Sequence, residues 1–322
     1  MNVTILGTGN IAHKIASTIL QMNDVRLYSV ISRTSQKAEA FAKEFHIPHY
    51  SSDYTQLRKD RNIDLVYIAT PHSEHYHLTK FCLLNHKNVL CEKPLAINTA
   101  QALELFQLSQ KNQCLLAEAI WTRYMPSRFL LTELLTEGLI GSVSSFTANL
   151  GYDLQHIPRM TSLKTAGGAL LDLAVYPLHF ANMFFDGMIQ EINAIALKDP
   201  QGIDLKNSIS ITYESGIMAT LTSDMTAFTD RRGVISGKKG YLVVDPINNC
   251  QTITHFNPSH QRINTYYAPS QITGYEYELL ACKKAIENNW IQCPEALHKD
   301  TLQVLQTLDK VRSILHITFP CE

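Results

Sequence analysis

The segment Gly7-Thr8-Gly9-Asn10-Ile11-Ala12 has the residue types and spacing of a phosphate-binding turn. The first Gly permits a tight turn, the second lets the backbone approach a pyrophosphate, and the small Ala12 lets a helix pack on a strand. A helix that begins here offers free N–H groups and a positive dipole end to phosphates. The segment follows a strand-like run and opens a helical one. It therefore predicts a dinucleotide site contacted by Gly7, Thr8, Gly9, Asn10 and Ile11.

The segment Ser32-Arg33-Thr34-Ser35 follows the second strand-like run. Enzymes that use NAD usually place Asp or Glu here, where the carboxylate binds the ribose 2′-hydroxyl. This chain has no carboxylate in the segment. Arg33 can pair with a 2′-phosphate, and the hydroxyls of Ser32, Thr34 and Ser35 can hydrogen-bond it. The segment favours NADP over NAD, with a solvated loop charge as the other interpretation of Arg33.

The tripeptide Glu92-Lys93-Pro94 follows the strand-like run at 88–91. Ligands of open α/β sheets bind at the carboxyl ends of the strands, so a lysine at this position could reach a substrate. On the tripeptide alone, a surface loop with a salt bridge is an equally good interpretation.

Short apolar runs alternate with segments of helical spacing through the first third of the chain. Strands are predicted at 3–6, 25–31, 65–69, 88–91 and 115–118, and helices at 11–22, 38–45, 76–85 and 99–111. This alternation is typical of βαβ units, and continuous apolar runs indicate strands buried on both faces. We expect an α/β domain at 1–120, with a doubly wound parallel sheet of the Rossmann type.

The pattern changes after residue 120. Strands are predicted at 142–150, 208–213, 217–225 and 241–245, and helices at 128–137, 274–288 and 299–315. Glu214-Ser215-Gly216 separates two of these strands and is typical of a hairpin turn. We expect residues 121–322 to form an α+β domain on a mostly antiparallel, open-faced sheet, which binds substrate.

Composition narrows the class of protein. The 322 residues are 45% hydrophobic and 18% charged, which is enough apolar material for two cores. The net charge of −1 gives no electrostatic reason to expect a nucleic acid or a membrane as partner. No basic and apolar leader is visible, and the seven cysteines are dispersed without a Cys-x-x-Cys pair. We expect a cytoplasmic protein with reduced thiols.

Five motifs follow one another in a fixed order. They are Gly-x-Gly-x-x-Ala, then Ala69-Thr70-Pro71-His72-Ser73-Glu74-His75, then Glu92-Lys93-Pro94, then Ala117-Glu118-Ala119-Ile120-Trp121-Thr122-Arg123, and finally Gly167-Gly168 with Asp172 and Tyr176. This order resembles the Gfo/Idh/MocA oxidoreductase family over essentially the whole chain. It is most similar to the branch of dimeric dihydrodiol dehydrogenases and NADP-linked D-xylose dehydrogenases.

The resemblance implies functions for individual residues. Lys93 would be the catalytic lysine, and Asp172 and Tyr176 match the Asp-x-Gly-x-His pattern with Tyr in place of His. The implied coenzyme contacts outside the glycine turn are Thr70, Pro71, His72, His75, Glu92, Lys93, Trp121 and Arg123. Candidate substrate-pocket residues are Tyr152, His156, Arg159 and His179, and for His179 a hydrogen-bonded core histidine is an equal interpretation.

The chemistry of alcohol oxidation agrees with these implied roles. It needs a base for the hydroxyl proton and a pocket that places the C–H bond against the nicotinamide. A free Tyr titrates at about 10, and a neighbouring Lys lowers that pKa. Asp172 and Tyr176 are four residues apart and share a face on a helix. Either Tyr176 exchanges the proton while Lys93 tunes it, or Lys93 carries the proton. Asp172 would orient the substrate or the lysine.

Two other patterns are set aside. Tyr76 and Lys80 spell the Tyr-x-x-x-Lys pair of short-chain dehydrogenases, but they occur much too early in the chain. His72, His75 and His77 lack the spacing of two metal ligands on one helical face, and no Cys or carboxylate cluster matches them. We therefore expect no metal.

The sequence thus predicts an NADP-dependent dehydrogenase that acts on CH–OH donors, with a sugar, polyol or trans-dihydrodiol as substrate. The resemblance also implies a homodimer or larger homo-oligomer, formed through the second domain. The alternative is a catalytically silent NADP-binding redox sensor or regulator, because a fold does not by itself imply a function.

Overall fold

The structure, a computed structural model, describes residues 1–185 and 187–322. Its N-terminal part is a parallel sheet with strand order β3-β2-β1-β4-β5-β6, the Rossmann order. The strands are β1 (Asn2–Leu6), β2 (Arg26–Ile31), β3 (His49–Ser51), β4 (Leu65–Ile68), β5 (Val89–Glu92) and β6 (Leu116–Ala119). The helices are α1 (Asn10–Ile19), α2 (Ser35–Glu44), α3 (His72–Leu84) and α4 (Thr99–Asn112).

Burial and capping explain these elements. β4, β5 and β6 are buried along their whole length, as expected for strands with helices on both faces. Thr34 begins α2 by accepting a hydrogen bond from the Lys37 N–H, and Asn98 begins α4 by accepting one from the Gln101 N–H. The parallel α/β unit expected from the alternating pattern is confirmed.

The second sheet has eight strands in the order β14-β13-β12-β11-β7-β10-β9-β8. In chain order the elements are α5 (Pro126–Thr136), β7 (Val143–Gly151), a π-helical turn (Leu170–Ala174), α6 (Val175–Phe184), β8 (Ile189–Lys198), β9 (Asp204–Tyr213), β10 (Met218–Asp224), β11 (Gly233–Gly237), β12 (Gly240–Asp245), β13 (Thr252–Phe256) and β14 (Arg262–Tyr267). The pair β7–β10 is parallel and the other pairs are antiparallel. The predicted mostly antiparallel sheet is confirmed.

The two faces of this sheet differ. In β10, Ala219 and Leu221 are buried whereas Thr220 and Thr222 are exposed. The π-helical turn and α6 contact β7 and β10. The sheet therefore has one helix-covered face and one face rich in exposed side chains, in agreement with the expected open-faced architecture.

Two further helices, α7 (Glu276–Glu287) and α8 (His298–Leu315), complete the chain. Contacts divide the described residues into a first unit of 1–121 and 271–302 and a second unit of 122–270 and 303–322. The sequence pattern had placed all of 121–322 in one domain. Segment 271–302 packs in the first unit because it satisfies the edge of its sheet: the Leu116 N–H donates to the Ile291 carbonyl at 3.0 Å. Among the described helices, none is apolar over a length that could cross a bilayer.

Candidate active site

The glycine turn lies at the carboxyl end of β1. Gly7 has φ +112°, and a Cβ at this position would lie 2.4 Å from the Ala69 carbonyl oxygen, at the end of neighbouring β4. Only glycine satisfies both conditions. At Gly9, a Cβ would meet none of the described atoms within 4 Å. The fold therefore requires Gly7, whereas Gly9 leaves open space before the N-terminus of α1.

The N-terminus of α1 has the properties of a phosphate site. Asn10 and Ile11 begin the helix, and its first turn contains no acidic residue. The backbone N–H groups of this turn and the positive end of the helix dipole favour an anion. The open cradle at Gly9 gives a pyrophosphate room to approach, so the residues present fit a dinucleotide.

Polar side chains at the end of β2 lie beside the glycine turn. The hydroxyls of Thr8 and Ser32 are 3.0 Å apart. Arg33 is exposed and directly precedes Thr34, whose hydroxyl oxygen caps α2. An anion at this point would meet both a guanidinium group and the N-terminus of α2.

His75 connects two loops at the same edge of the sheet. Its ring nitrogens lie 2.8 Å from the Pro94 carbonyl oxygen and 2.9 Å from that of Thr70. Burial and the neighbouring His72 lower the pKa of His75 to about 4, so the ring is neutral at pH 7 and donates through one nitrogen at a time. His72 is also buried. The described contacts make His75 a residue that fixes the loops after β4 and β5.

Lys93 follows β5 and is held by carboxylates on either side. Glu92 accepts hydrogen bonds from the Lys93 N–H, at 3.2 Å, and from the Tyr67 hydroxyl. Burial and Glu92 raise the pKa of Tyr67, so the phenol keeps its proton and donates it. On the far side, Glu118 accepts from the Leu95 N–H at 3.0 Å. The loop that carries Lys93 is therefore fixed at both ends.

Glu118 has a second donor. The Thr301 hydroxyl donates to its other carboxylate oxygen at 2.7 Å. Sequence reasoning quoted Glu118 within a motif but assigned it no role, and it missed Tyr67 and Thr301. A charged residue inside the buried strand β6 was the available signal, because a buried carboxylate needs partners. The Tyr67 and Thr301 contacts depend on tertiary packing, and no local pattern marks them.

Two polar atoms near this edge are buried and have no hydrogen-bond partner among the described residues, Thr70 Oγ1 and Trp121 Nε1. The Trp121 ring stacks on Tyr275 with centroids 4.2 Å apart and planes at 9°. Buried polar atoms in folded proteins normally have partners, and a bound polar ligand would supply them. Both residues were predicted coenzyme contacts, and these observations are compatible with that role.

Arg123, His179 and Asn182 form a buried polar chain in the second unit. The Arg123 Nε–H donates to His179 Nδ1 at 2.9 Å, and its terminal nitrogen donates to the Asn182 side chain. Arg123 is 1% exposed and His179 is fully buried. The predicted coenzyme contact Arg123 is thus bonded to α6, and His179 has the contact expected of a hydrogen-bonded core histidine.

Asp172 and Tyr176 lie on consecutive turns. Asp172 is in the π-helical turn at 170–174, and Tyr176 is the second residue of α6. The Arg159 guanidinium donates to both oxygens of Asp172, at 3.2 and 3.4 Å. Arg159 is exposed and Tyr176 is half-buried. π-Helical turns are rare and often occur at functional sites. The structure therefore brings Arg159 to Asp172, an ion pair that the sequence did not predict.

The remaining pocket candidates lie in the same unit. The Tyr152 hydroxyl accepts hydrogen bonds from Arg231, at 3.1 Å, and from Asn248, at 3.0 Å. His156 is exposed. The described contacts join neither Tyr152 nor His156 to Asp172.

The candidate catalytic residues thus belong to different units, Lys93 to the first and Asp172 and Tyr176 to the second. In the described ranges, no group of three His, Cys, Asp or Glu side chains is arranged to hold a metal ion.

Comparison with known proteins identifies the family. Residues 1–120 match the model described as the oxidoreductase family with an NAD-binding Rossmann fold, and residues 130–243 match the GFO/IDH/MocA C-terminal domain. The chain belongs to the Gfo/Idh/MocA oxidoreductase family. The resemblance stated from the sequence is confirmed, and so is the predicted enzyme class: the chain is an NAD(P)-dependent oxidoreductase.

Its relatives include dehydrogenases of known name. The chain is 29% identical to trans-1,2-dihydrobenzene-1,2-diol dehydrogenase of Mus musculus, covering 98% of this chain and 97% of the relative. Two solved structures share its fold, each at 22% identity with a TM-score of 0.88. One is a 3-ketoreductase from Actinomadura kijaniata in complex with NADP and TDP-benzene, covering 97% of both chains. The other is an aldose-aldose oxidoreductase from Caulobacter crescentus with glycerol, covering 98% of this chain and 97% of the other.

Proposed function

We propose that this protein is an NADP-dependent dehydrogenase or reductase that moves a hydride between nicotinamide and the hydroxyl-bearing carbon of a sugar, polyol or trans-dihydrodiol. One observation carries the proposal. The glycine cradle after β1 and the doubly anchored Lys93 after β5 lie at the carboxyl edge of one parallel sheet. Ligands of such sheets bind at this edge, so the coenzyme and a proton-handling lysine share one site.

The chain's own residues supply the proton chemistry. When bound, the nicotinamide supplies only the acceptor or donor of hydride. As hydride leaves the carbon, the hydroxyl must lose its proton to a base. Tyr176 and Lys93 are the two candidates for that base. Asp172, paired with Arg159, is assigned to orient the substrate.

The choice of NADP rests on the end of β2. Arg33 is exposed there beside the N-terminus of α2, and a 2′-phosphate would gain from both. We expect Arg33→Ala to lower kcat/KM for NADPH by about 10- to 100-fold, since a charge-assisted contact to phosphate contributes about 1.5–3 kcal/mol. The kcat/KM for NADH should change less than threefold or rise. Equal losses with both coenzymes would contradict the assignment.

We also propose that the protein forms a homodimer through the open face of its second sheet. On β8 the side chains of Ile195 and Leu197 are 74% and 54% exposed, and Met218 on β10 is 56% exposed. Exposed apolar side chains on an open sheet face are typical of protein interfaces. Light scattering of the wild type and of Ile195→Lys tests this: a dimer that becomes a monomer supports it, and a wild-type monomer contradicts it.

The activity itself is tested with a substrate panel. Purified protein is mixed with NADP and aldoses, inositols or cyclic trans-diols, and in the reverse direction with NADPH and dicarbonyls or aldonolactones, while NADPH absorbance is followed. Turnover with any member that is lost in Lys93→Met supports the proposal. NADP binding without turnover in either direction would instead favour the silent sensor.

A further inference from the structure

The turn that carries Asp172 begins at two crowded glycines. A Cβ at Gly167 would lie 2.4 Å from the Arg159 carbonyl oxygen. Gly168 has φ +117°, and its Cβ would lie 2.2 Å from Asp204 Oδ1. The space that a side chain would need at Gly168 is therefore filled by the Asp204 carboxyl group.

Asp204 begins β9 and is 1% exposed. Its Oδ2 accepts a hydrogen bond from the Leu170 N–H at 2.7 Å and another from the Asn207 side-chain amide at 3.1 Å. Leu170 is the first residue of the π-helical turn. N–H groups at the start of a helix have no acceptor within the helix, and here a side chain from the sheet supplies one.

We propose that Asp204 is a positioning residue, which fixes the start of the π-helical turn and thereby the orientation of Asp172 and Tyr176. The inference deepens the proposed function and rests on it for the roles of those two residues. Asp204 itself is buried in the second unit, with its described contacts at the start of the turn and on β9.

The environment of Asp204 makes this anchor sensitive to pH. Burial raises the pKa of Asp204 to about 7, against the Leu170 N–H, the Asn207 amide and the Lys198 ammonium on β8, which lower it. Lys198 donates to the His316 carbonyl at 3.2 Å, and Lys206 on β9 pairs with Asp224 on β10. The ionised carboxylate is the stronger acceptor for the Leu170 N–H, so the turn is held more tightly above pH 7.

The stability of the fold changes with pH in the opposite direction to the strength of this anchor. The pKa of Asp204 is higher in the fold than its ordinary value of 3.8. Protonation therefore stabilises the fold, and this contribution is lost as the pH rises through about 7. The inference therefore predicts two opposite changes as the pH rises towards and through about 7. The activity increases, while the part of the Tm that depends on Asp204 decreases.

The test is the pH profile of NADPH-dependent reduction, from pH 5.5 to 9, in the wild type and in Asp204→Asn. In reduction, the activity falls at high pH because the proton donor is then deprotonated. A fall in activity at low pH therefore requires a second titrating group. At pH 6 about 90% of a group with a pKa near 7 is protonated, so kcat in the wild type should fall by up to about tenfold from pH 8. Asp204→Asn should lack this fall and keep its KM for NADPH.

Asp199→Asn is the matched control, because Asp199 caps the β8–β9 turn through the Gln201 and Ile203 N–H groups. Its profile should match the wild type. An acid limb that persists unchanged in Asp204→Asn would overturn the inference.

Hydrogen exchange separates this inference from the proposed function. Amides in 168–178 should exchange at least about tenfold faster in Asp204→Asn than in the wild type at pH 8, and Asp199→Asn should leave them unchanged. Asn207→Ala removes one partner of Asp204 and is a milder variant, which keeps the test available if Asp204→Asn does not fold. Faster exchange in a protein without turnover on any substrate would contradict the proposed function and support the anchor. Unchanged exchange in both variants would overturn the anchor, whatever the activity.

Discussion

Two regions of the molecule are each fixed by a buried carboxyl group. Glu118 fixes the loop that carries Lys93, and Asp204 fixes the turn that carries Asp172 and Tyr176. Glu118 uses one oxygen for the Leu95 N–H and the other for the Thr301 hydroxyl. Asp204 uses Oδ2 for the Leu170 N–H and the Asn207 amide, and its own backbone N–H is a further donor, while Oδ1 fills the space beside Gly168.

The two anchors differ in the donors that their carboxyl oxygens accept. Burial raises the pKa of Asp204, although its hydrogen-bond donors and the Lys198 ammonium lower it. We therefore expect the anchor at Asp204 to weaken as the medium becomes acidic.

The largest expected effect is the loss of Lys93. In Lys93→Met we expect kcat to fall by about 10³-fold or more, because removal of a group that handles the proton costs about 10²- to 10⁴-fold. The Tm should stay within about 2 °C of the wild type. Lys80→Met is the matched control: Lys80 is paired with Glu104 on the surface at 2.6 Å and belongs to the discarded Tyr-x-x-x-Lys pattern. If Lys80→Met abolished turnover and Lys93→Met did not, the assignment of Lys93 as the residue that handles the proton would be wrong.

Tyr176→Phe tests the second region, the turn that carries Asp172 and Tyr176. We expect kcat to fall by about 10²-fold or more if the phenol exchanges the proton, with coenzyme affinity unchanged. Its pH profile decides between the two proton carriers: loss of the alkaline limb in reduction assigns that limb to Tyr176. Near-wild-type kcat at every pH would remove Tyr176 from the mechanism and leave Lys93 as the carrier.

A pair of glycine variants compares the two regions directly. Gly7→Ala meets a backbone carbonyl, and Gly168→Ala meets the Asp204 carboxyl group, both at positive φ. Each strain costs about 1–3 kcal/mol. Gly7→Ala should weaken NADP binding at least tenfold, as measured by calorimetry. Gly168→Ala should lower kcat by a similar factor and leave the Kd of NADP within twofold. Equal losses of affinity would show that the two regions do not have separate functions.

The smallest effects belong to the donors of the two anchors. Thr301→Val removes one hydrogen bond to Glu118, and Asn207→Ala removes one to Asp204, each at a cost of about 1 kcal/mol in the free energy of unfolding. Urea denaturation of Asn207→Ala should give a larger loss at pH 8 than at pH 6, because Asp204 is ionised at pH 8. The reverse dependence would contradict the proposed difference between the anchors.

The sequence predicted the parts of this protein that local pattern encodes. Apolar runs before Gly7 and Lys93 identified β1 and β5, because buried parallel strands have continuous apolar sequence. β8 was missed: its sequence, IQEINAIALK, mixes three Ile, which favour strands, with Ala, Leu, Gln, Glu and Lys, which favour helices, and its pairing with β9 makes it a strand.

The anchors were beyond local pattern for the same reason. Asp204 lies 34 residues from Leu170, and Thr301 lies 183 residues from Glu118. Both separations are too long for a local sequence motif to reveal the contact. The predicted four-residue relation of Asp172 and Tyr176 placed both on one helical run, but no local pattern marks the π-helical turn, whose first N–H donates to Asp204 on β9.

The most direct test of the central claim follows the hydride itself. The protein is incubated with NADPH carrying deuterium at C4, on each face separately, and with the carbonyl form of the best substrate from the panel. We expect one of the two labelled coenzymes to give a product with one deuterium at the new hydroxyl-bearing carbon, and Lys93→Met to give none at the same time point. A reduced product without deuterium from either coenzyme would contradict hydride transfer by this protein.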